Sequence, residues 1–339
     1  MQMHVTFSYL FHTACVLTLS IVVANAQTNY PTIGKVVRND PRLDALIDNN
    51  AKIEVLASGF RWSEGPVWVK DGNYLLFSDV PQNTVFKWSE KDGLSTFLKP
   101  SGYTGAGYYS NEPGSNGLIL NAKGELVLCE HGDRRVTAMP LGGGGKRTLA
   151  DSYQGQRFNS PNDVVQHPDG SYYFTDPPYG LPQQEKDPLR ETQVFGVYRI
   201  APDSKVTLVI ADLTRPNGLA LAPDAKTLYV AQSDPAKAVI MAYPVLKDGA
   251  LGKGRLFHDA TPDAKTMKGL PDGLRVDRAG NLFATGPGGV RIIAPDGTVL
   301  GRIDTGEATA NCAFGNDGSV LYITANGYLC RIRTKTKGL

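Results

Sequence analysis

Short apolar runs, separated by glycine, asparagine and aspartate, recur from about residue 52 to the end of the chain. Five segments are alike: E-G-P-V-W at 64–68, N-G-L-I-L at 116–120, N-D-V-V at 162–165, N-G-L-A-L at 217–221 and D-G-L-R-V at 272–276. Each opens on an acid or an amide and runs into apolar positions, the pattern of a strand with a buried face. Eight residues after the opening residue stands Gly72, Gly124, Gly170 or Gly280, with Ala225 in the fourth unit. A turn there predicts a hairpin, and a second strand follows at 74–78, 125–129, 171–175, 227–231 and 281–285. A third is legible at 84–88, 196–200 and 290–293. A sixth, less regular unit runs from Asn311 through Asp317-Gly318 to 321–324; its turn glycine falls one residue early, so Asn311 stands out of register.

Units of roughly 50 residues with three or four strands each are the signature of propeller blades. The expected fold is all-β, a six-bladed β-propeller over 52–339. The strand-like stretch 52–59 precedes the first unit and is placed to complete the last blade, which would close the ring and remove an exposed edge. Residues 27–51 read as an N-terminal arm with a short helix near 41–48. Residues 1–26 hold no Lys, Arg, Asp or Glu, and their apolar run ends in Ala24-Asn25-Ala26. That predicts a cleaved signal peptide, despite the missing positive charge at its start. An uncleaved anchor is the competing reading, but the apolar run is short for a membrane span. The expected location is periplasmic or secreted, with no membrane contact after cleavage.

Glycine is abundant, at 37 of 339 residues, and the turns give much of it a place. Charge is nearly balanced, 35 basic against 33 acidic residues, which argues against a nucleic-acid partner. With Cys15 in the leader, Cys129, Cys312 and Cys330 remain. They read as small buried apolar side chains, Cys312 and Cys330 being the nearer pair if a disulfide forms. No C-x-x-C pair or clustered histidine suggests a thiolate or imidazole metal site. Nothing demands more than a monomer.

In a propeller the innermost strands line a central channel, so equivalent positions form a ring. The repeat puts Glu64, Asn116, Asn162, Asn217 and Asp272 on that ring. Asn or Asp before Gly is also a plain turn signal, but Glu64 precedes Gly-Pro and Asn162 precedes Asp. Two carboxylates among carboxamides offer hard oxygen ligands suited to Ca²⁺, Mg²⁺ or Mn²⁺. A cation held so would polarise a substrate carbonyl, and a neighbouring carboxylate would take a proton from attacking water.

Four stretches in order, S-E-G-P-V-W (63–68), R-F-N-S-P-N-D (157–163), R-P-N-G-L (215–219) and L-P-D-G-L (270–274), resemble the gluconolactonase/regucalcin (senescence marker protein) family of six-bladed propellers. The likeness spans roughly 52–335. It implies one divalent metal in the channel, calcium foremost with Mg²⁺, Mn²⁺ or Zn²⁺ as alternatives, and hydrolysis of a sugar lactone. By motif, Glu64, Asn217 and Asp272 match the family's metal ligands, and Asn162 its fourth amide. Asp272 also matches the general base, and Arg157 a substrate-contacting arginine. The R-F-N-S-P-N-D spelling is longer than the animal R-F-N-D, so Asn159 rivals Asn162.

His131, after the strand ending at Cys129, is a candidate proton shuttle or substrate donor, or else a solvated loop histidine. Asn116 is a candidate substrate contact or ring support. Asp176 shapes a substrate loop or a plain turn. Ser63 lacks any motif-placed histidine and acid to activate it, which disfavours a serine hydrolase. Loops 103–115 and 181–193 are the expected specificity loops. Alternatives to a lactonase are a phosphotriester or aryl-ester hydrolase in the same oxygen cage, and a non-catalytic ligand-binding propeller.

Overall fold

The structure, a computed structural model, describes residues 1–5 and 29–339; the expected signal peptide lies almost wholly outside the described residues. Six antiparallel sheets follow one another along the chain as blades of a β-propeller: blade 1 (63–98), blade 2 (115–150), blade 3 (164–210), blade 4 (216–259), blade 5 (274–304) and blade 6 (309–333). Within each, the first strand in sequence is innermost and later strands step outward.

Alternation along the strands explains how the blades pack. Successive side chains face opposite sides of a sheet, so each blade offers one apolar set to each neighbour. Leu75 and Phe77 of blade 1 pack with Tyr322 and Leu329 of blade 6. Leu76, between them, packs with Leu118 and Leu128 of blade 2. Likewise Phe174 faces blade 2 and Tyr173 faces blade 4. The core is therefore six interfaces around a channel. Cys129, Cys312 and Cys330 lie inside these interfaces as free, buried thiols.

Ile53–Ser58 pairs with Tyr328–Arg333 as the fourth strand of blade 6. The segment before it is woven into two blades. Thr32–Ile33 pairs outside Ile53–Ser58 on blade 6, and Lys35–Arg38 pairs with Val299–Asp304 as a fifth strand of blade 5. A 3-10 turn, Pro41–Ala45, follows, started by Asp40, whose carboxylate accepts from the Arg42 N–H. Its Leu43, with Ile47, is buried in the interface between blades 5 and 6. The N-terminal segment thus ties together the two blades at the seam.

The inner strands are irregular where the channel opens. In blade 1 the register slips between Glu64 and Val67, in blade 2 between Ser115 and Leu118, and in blade 4 between Pro216 and Leu219. Such bulges bend a strand and re-aim its side chains. They fall on the ring residues, so these side chains depart from the flat alternation of the blade.

Candidate functional site

At one end of the channel lies a cavity of about 460 Å³. Its wall includes Glu64, Asn116, Asn162, Asn217 and Asp272, so the repeat positions are brought together. Blade 6 supplies none of them. The Gly273 N–H donates to Ala310 O as the Gly117 N–H donates to Asn162 O, which makes Ala310, not Asn311, the counterpart of the ring residues.

Asn311 therefore sits one layer deeper, with Gly65, Gly117, Asp163 and Gly273. A Cβ on Gly273 would come within 2.0 Å of the Asn311 side chain, and one on Gly117 within 2.5 Å of Asp163 Oδ1. Glycine leaves the room these two side chains occupy. Asn311 Nδ2 donates to Glu64 Oε2 at 3.2 Å from below. Arg275, beneath this layer, donates to Leu274 O and offsets part of the cost of burying Asp163.

The ring atoms divide into two kinds. Glu64 is buried, and its Oε2 also accepts from the Gly65 N–H at 2.8 Å. Burial raises its pKa, with the Asp163 charge adding to the effect. Burial raises the Asp272 pKa well above the carboxylate range, and repulsion from Glu64 pushes it further. The amides show the converse. Asn217 Nδ2 donates to Ser233 Oγ at 2.8 Å, and Asn162 Nδ2 lies 3.4 Å from His131 Nε2. Both side-chain oxygens, Asn162 Oδ1 and Asn217 Oδ1, are buried without a hydrogen-bond partner. Two mutually repelling carboxylates beside two partnerless amide oxygens are a poor arrangement for an empty pocket and a good one for a cation. Among the described residues no group of three or more His, Cys, Asp or Glu forms a metal cluster; the oxygens that could hold a cation here are those of the two carboxylates and the two amides.

The other sequence candidates are placed as follows. His131 is fully buried behind Asn162, off the cavity wall, and its Nδ1 faces Glu112 O at 3.2 Å. Burial pulls its pKa down to about 4, so it is neutral at pH 7. Arg157 is not brought to this cavity. It sits on the two-residue strand Gln156–Arg157, paired with Ser152–Tyr153, and lines a separate cleft with Tyr103 and Arg134, its guanidinium donating to Asp133 O. Asn159 is also off the wall, its amide nitrogen shared among Asp176, Thr192 and Val194 O. Asp176 receives the backbone N–H groups of Asn159 and Ser160, and so fixes the approach to Asn162. Ser63 Oγ is engaged by the carbonyls of Asn326 and Tyr328.

Residues not singled out from the sequence also face the cavity: Glu112, Tyr179 and Arg215. Glu112 comes from the 103–115 loop, and burial lifts its pKa to about 7. Arg215 is ion-paired with Glu185 of the 181–193 loop. Arg215 stands in the R-P-N-G stretch, two residues before a ring position, and that adjacency was the available signal. Glu112 carried none, because it lies in an irregular loop.

A six-bladed propeller with an oxygen-lined, carboxylate-bearing cavity at its channel mouth defines a class of small-molecule sites. Residues 62–327 match the family model described as SMP-30/Gluconolactonase/LRE-like region, and the chain belongs to that family. It is 44% identical to a gluconolactonase of Zymomonas mobilis over 329 residues, 95% of this chain and 92% of that one. The solved structure of a gluconolactonase from Xanthomonas campestris superposes with a TM-score of 0.77 at 32% identity, covering 91% of this chain and 99% of that one. A calcium-binding regucalcin from Agrobacterium tumefaciens shares the fold at TM-score 0.66 and 21% identity, covering 84% and 94%.

Proposed function

We propose that this chain is an exported, divalent-metal-dependent hydrolase that opens a sugar lactone of the gluconolactone kind. One observation carries the reading: Glu64, Asp272 and the partnerless oxygens of Asn162 and Asn217 meet in one cavity. The gluconolactonases among its relatives support the lactone as substrate. The leader-like sequence at 1–26 supports a periplasmic or secreted location.

Glu64, Asn162, Asn217 and Asp272 would hold the ion, and their all-oxygen chemistry favours calcium. A divalent cation there supplies polarisation of the lactone carbonyl and charge for the oxyanion that forms on attack. Asp272, ionised when the ion is bound beside it, would accept the proton of the attacking water. The ring C–O bond then breaks, the proton passes to the departing ring oxygen, and the product is the open hydroxy acid. Asn116, on the same wall, offers an amide to substrate hydroxyls, and Arg215 and Glu112 bound the space a sugar would enter.

The test is lactone hydrolysis followed by acid release. Asp272→Asn is expected to lower kcat by about 10²- to 10⁴-fold with the fold intact by circular dichroism. Chelation should abolish wild-type activity, and calcium should restore it. Undiminished turnover in Asp272→Asn, or in the chelated enzyme, would sink the reading.

A further inference from the structure

Two of the three cavity amides, Asn162 and Asn217, are each backed by a side chain whose own hydrogen is already committed. Ser233, on strand Thr227–Asp234, donates its hydroxyl hydrogen to Pro271 O. A carbonyl can only accept, so Ser233 Oγ has only lone pairs to offer Asn217. Asn217 must then turn its NH₂ toward Ser233 and its oxygen toward the cavity. The same logic holds on the other side. His131 Nδ1 faces Glu112 O, again a pure acceptor, so Nδ1 carries the hydrogen. The imidazole is fully buried, a setting that disfavours a second ring hydrogen, so Nε2 keeps its lone pair and Asn162 must present its NH₂ to it.

Both chains start on a backbone carbonyl and end by fixing which atom of an amide looks into the cavity. This fixes the amide orientations without reference to how oxygen and nitrogen are told apart by shape. Resting on the cation reading above, we infer that His131 and Ser233 are positioning residues that set the polarity of Asn162 and Asn217, so that two oxygens rather than two NH₂ groups face the ion. His131, buried behind the wall, then needs no contact with substrate. A reversed amide would place two positive hydrogens beside the cation, so the effect of losing either residue falls on metal affinity.

The experiment is calorimetric titration of the metal-free full chain with calcium alone, beside thermal melts. Ser233→Ala and His131→Leu are expected to weaken calcium binding by about 10- to 100-fold. Ser233→Thr, which keeps a hydroxyl, and His131→Gln, which keeps an acceptor, should recover most of it. Loss in both deletion variants with recovery in both conservative ones supports the assignment. Folded Ser233→Ala and His131→Leu proteins that bind calcium like the parent would overturn it and leave the cation reading standing. If His131→Leu does not fold, Ser233→Ala decides alone. A parent chain that binds no calcium refutes the cation reading, and this assignment falls with it.

Discussion

Removing one cavity carboxylate should make the metal-free protein more stable while making it blind to calcium. Glu64 is buried and Asp272 is half-buried at the cavity wall; desolvation raises the proton affinity of both, and the Glu64 charge raises that of Asp272 further. A carboxyl whose folded pKa exceeds its unfolded value stays protonated in the fold at a pH where the unfolded chain is ionised. The unfolded state then binds fewer protons, so stability falls as pH rises from the ordinary carboxylate range toward the raised values. Each tenfold gain in proton affinity on folding costs about 1.4 kcal/mol of stability at a pH above both values. Glu64→Gln removes one charge and keeps an oxygen for the Gly65 and Asn311 N–H groups, so in chelator at pH 8 it should melt above the wild type. Calcium acts oppositely. At 100 times its dissociation constant it adds about 2.7 kcal/mol to a protein that binds it only when folded. With roughly 310 folded residues and about 2.1 cal/mol/K of unfolding entropy each, that is about 4 °C. Scanning calorimetry at pH 8, with chelator and with calcium, reads both effects. The expected order is wild type with calcium above wild type without, with Glu64→Gln unmoved by the ion. A Glu64→Gln protein that melts below the metal-free wild type, or gains as much from calcium, would refute the reasoning.

Two further outcomes follow from the geometry. Arg157→Ala should leave kcat/KM for the lactone within about twofold of wild type, because the side chain lines another cleft; a tenfold loss in steady-state kinetics would place the arginine at the substrate. Gly65 has φ +49° and a missing Cβ that would lie 2.0 Å from Asn116 O, so Gly65→Ala should destabilise by about 2–4 kcal/mol in denaturant titration, and a loss under 0.5 kcal/mol would contradict that contact.

The blades were legible in the sequence because they repeat one local chemistry with few departures: an apolar alternation, a turn glycine (Ala225 in the fourth), and a polar residue at the channel end in all but the sixth. The ring positions were legible for the same reason, and the early turn glycine of the sixth unit marked Asn311 as out of register, one layer below Ala310. Glu112 was not legible, because an irregular loop has no period to read. Arg157 lies near Asn162 in sequence, yet the turn at 154–155 and the Asn159–Asp176 network carry the chain into the channel only after the arginine has been left outside. The role of His131 depends on which atom lies behind Asn162, a fact of packing between blades 2 and 3. Residues 32–38 offered too few residues for alternation to reveal that they extend two sheets.

The fourth strand of blade 6 is made near the start of the chain and paired near its end. Ile53–Ser58 finds its partner, Tyr328–Arg333, only when nearly the whole chain exists, and contacts so distant in sequence slow folding. All four proposed ligands, the last of them Asp272, are synthesised well before that partner. A chain halted just short of Tyr328 would hold every ligand and an open ring. If the proposed ion needs Glu64 and Asp272 held on either side of blade 6, its affinity would appear only at closure, and calcium binding would then report the last step of folding.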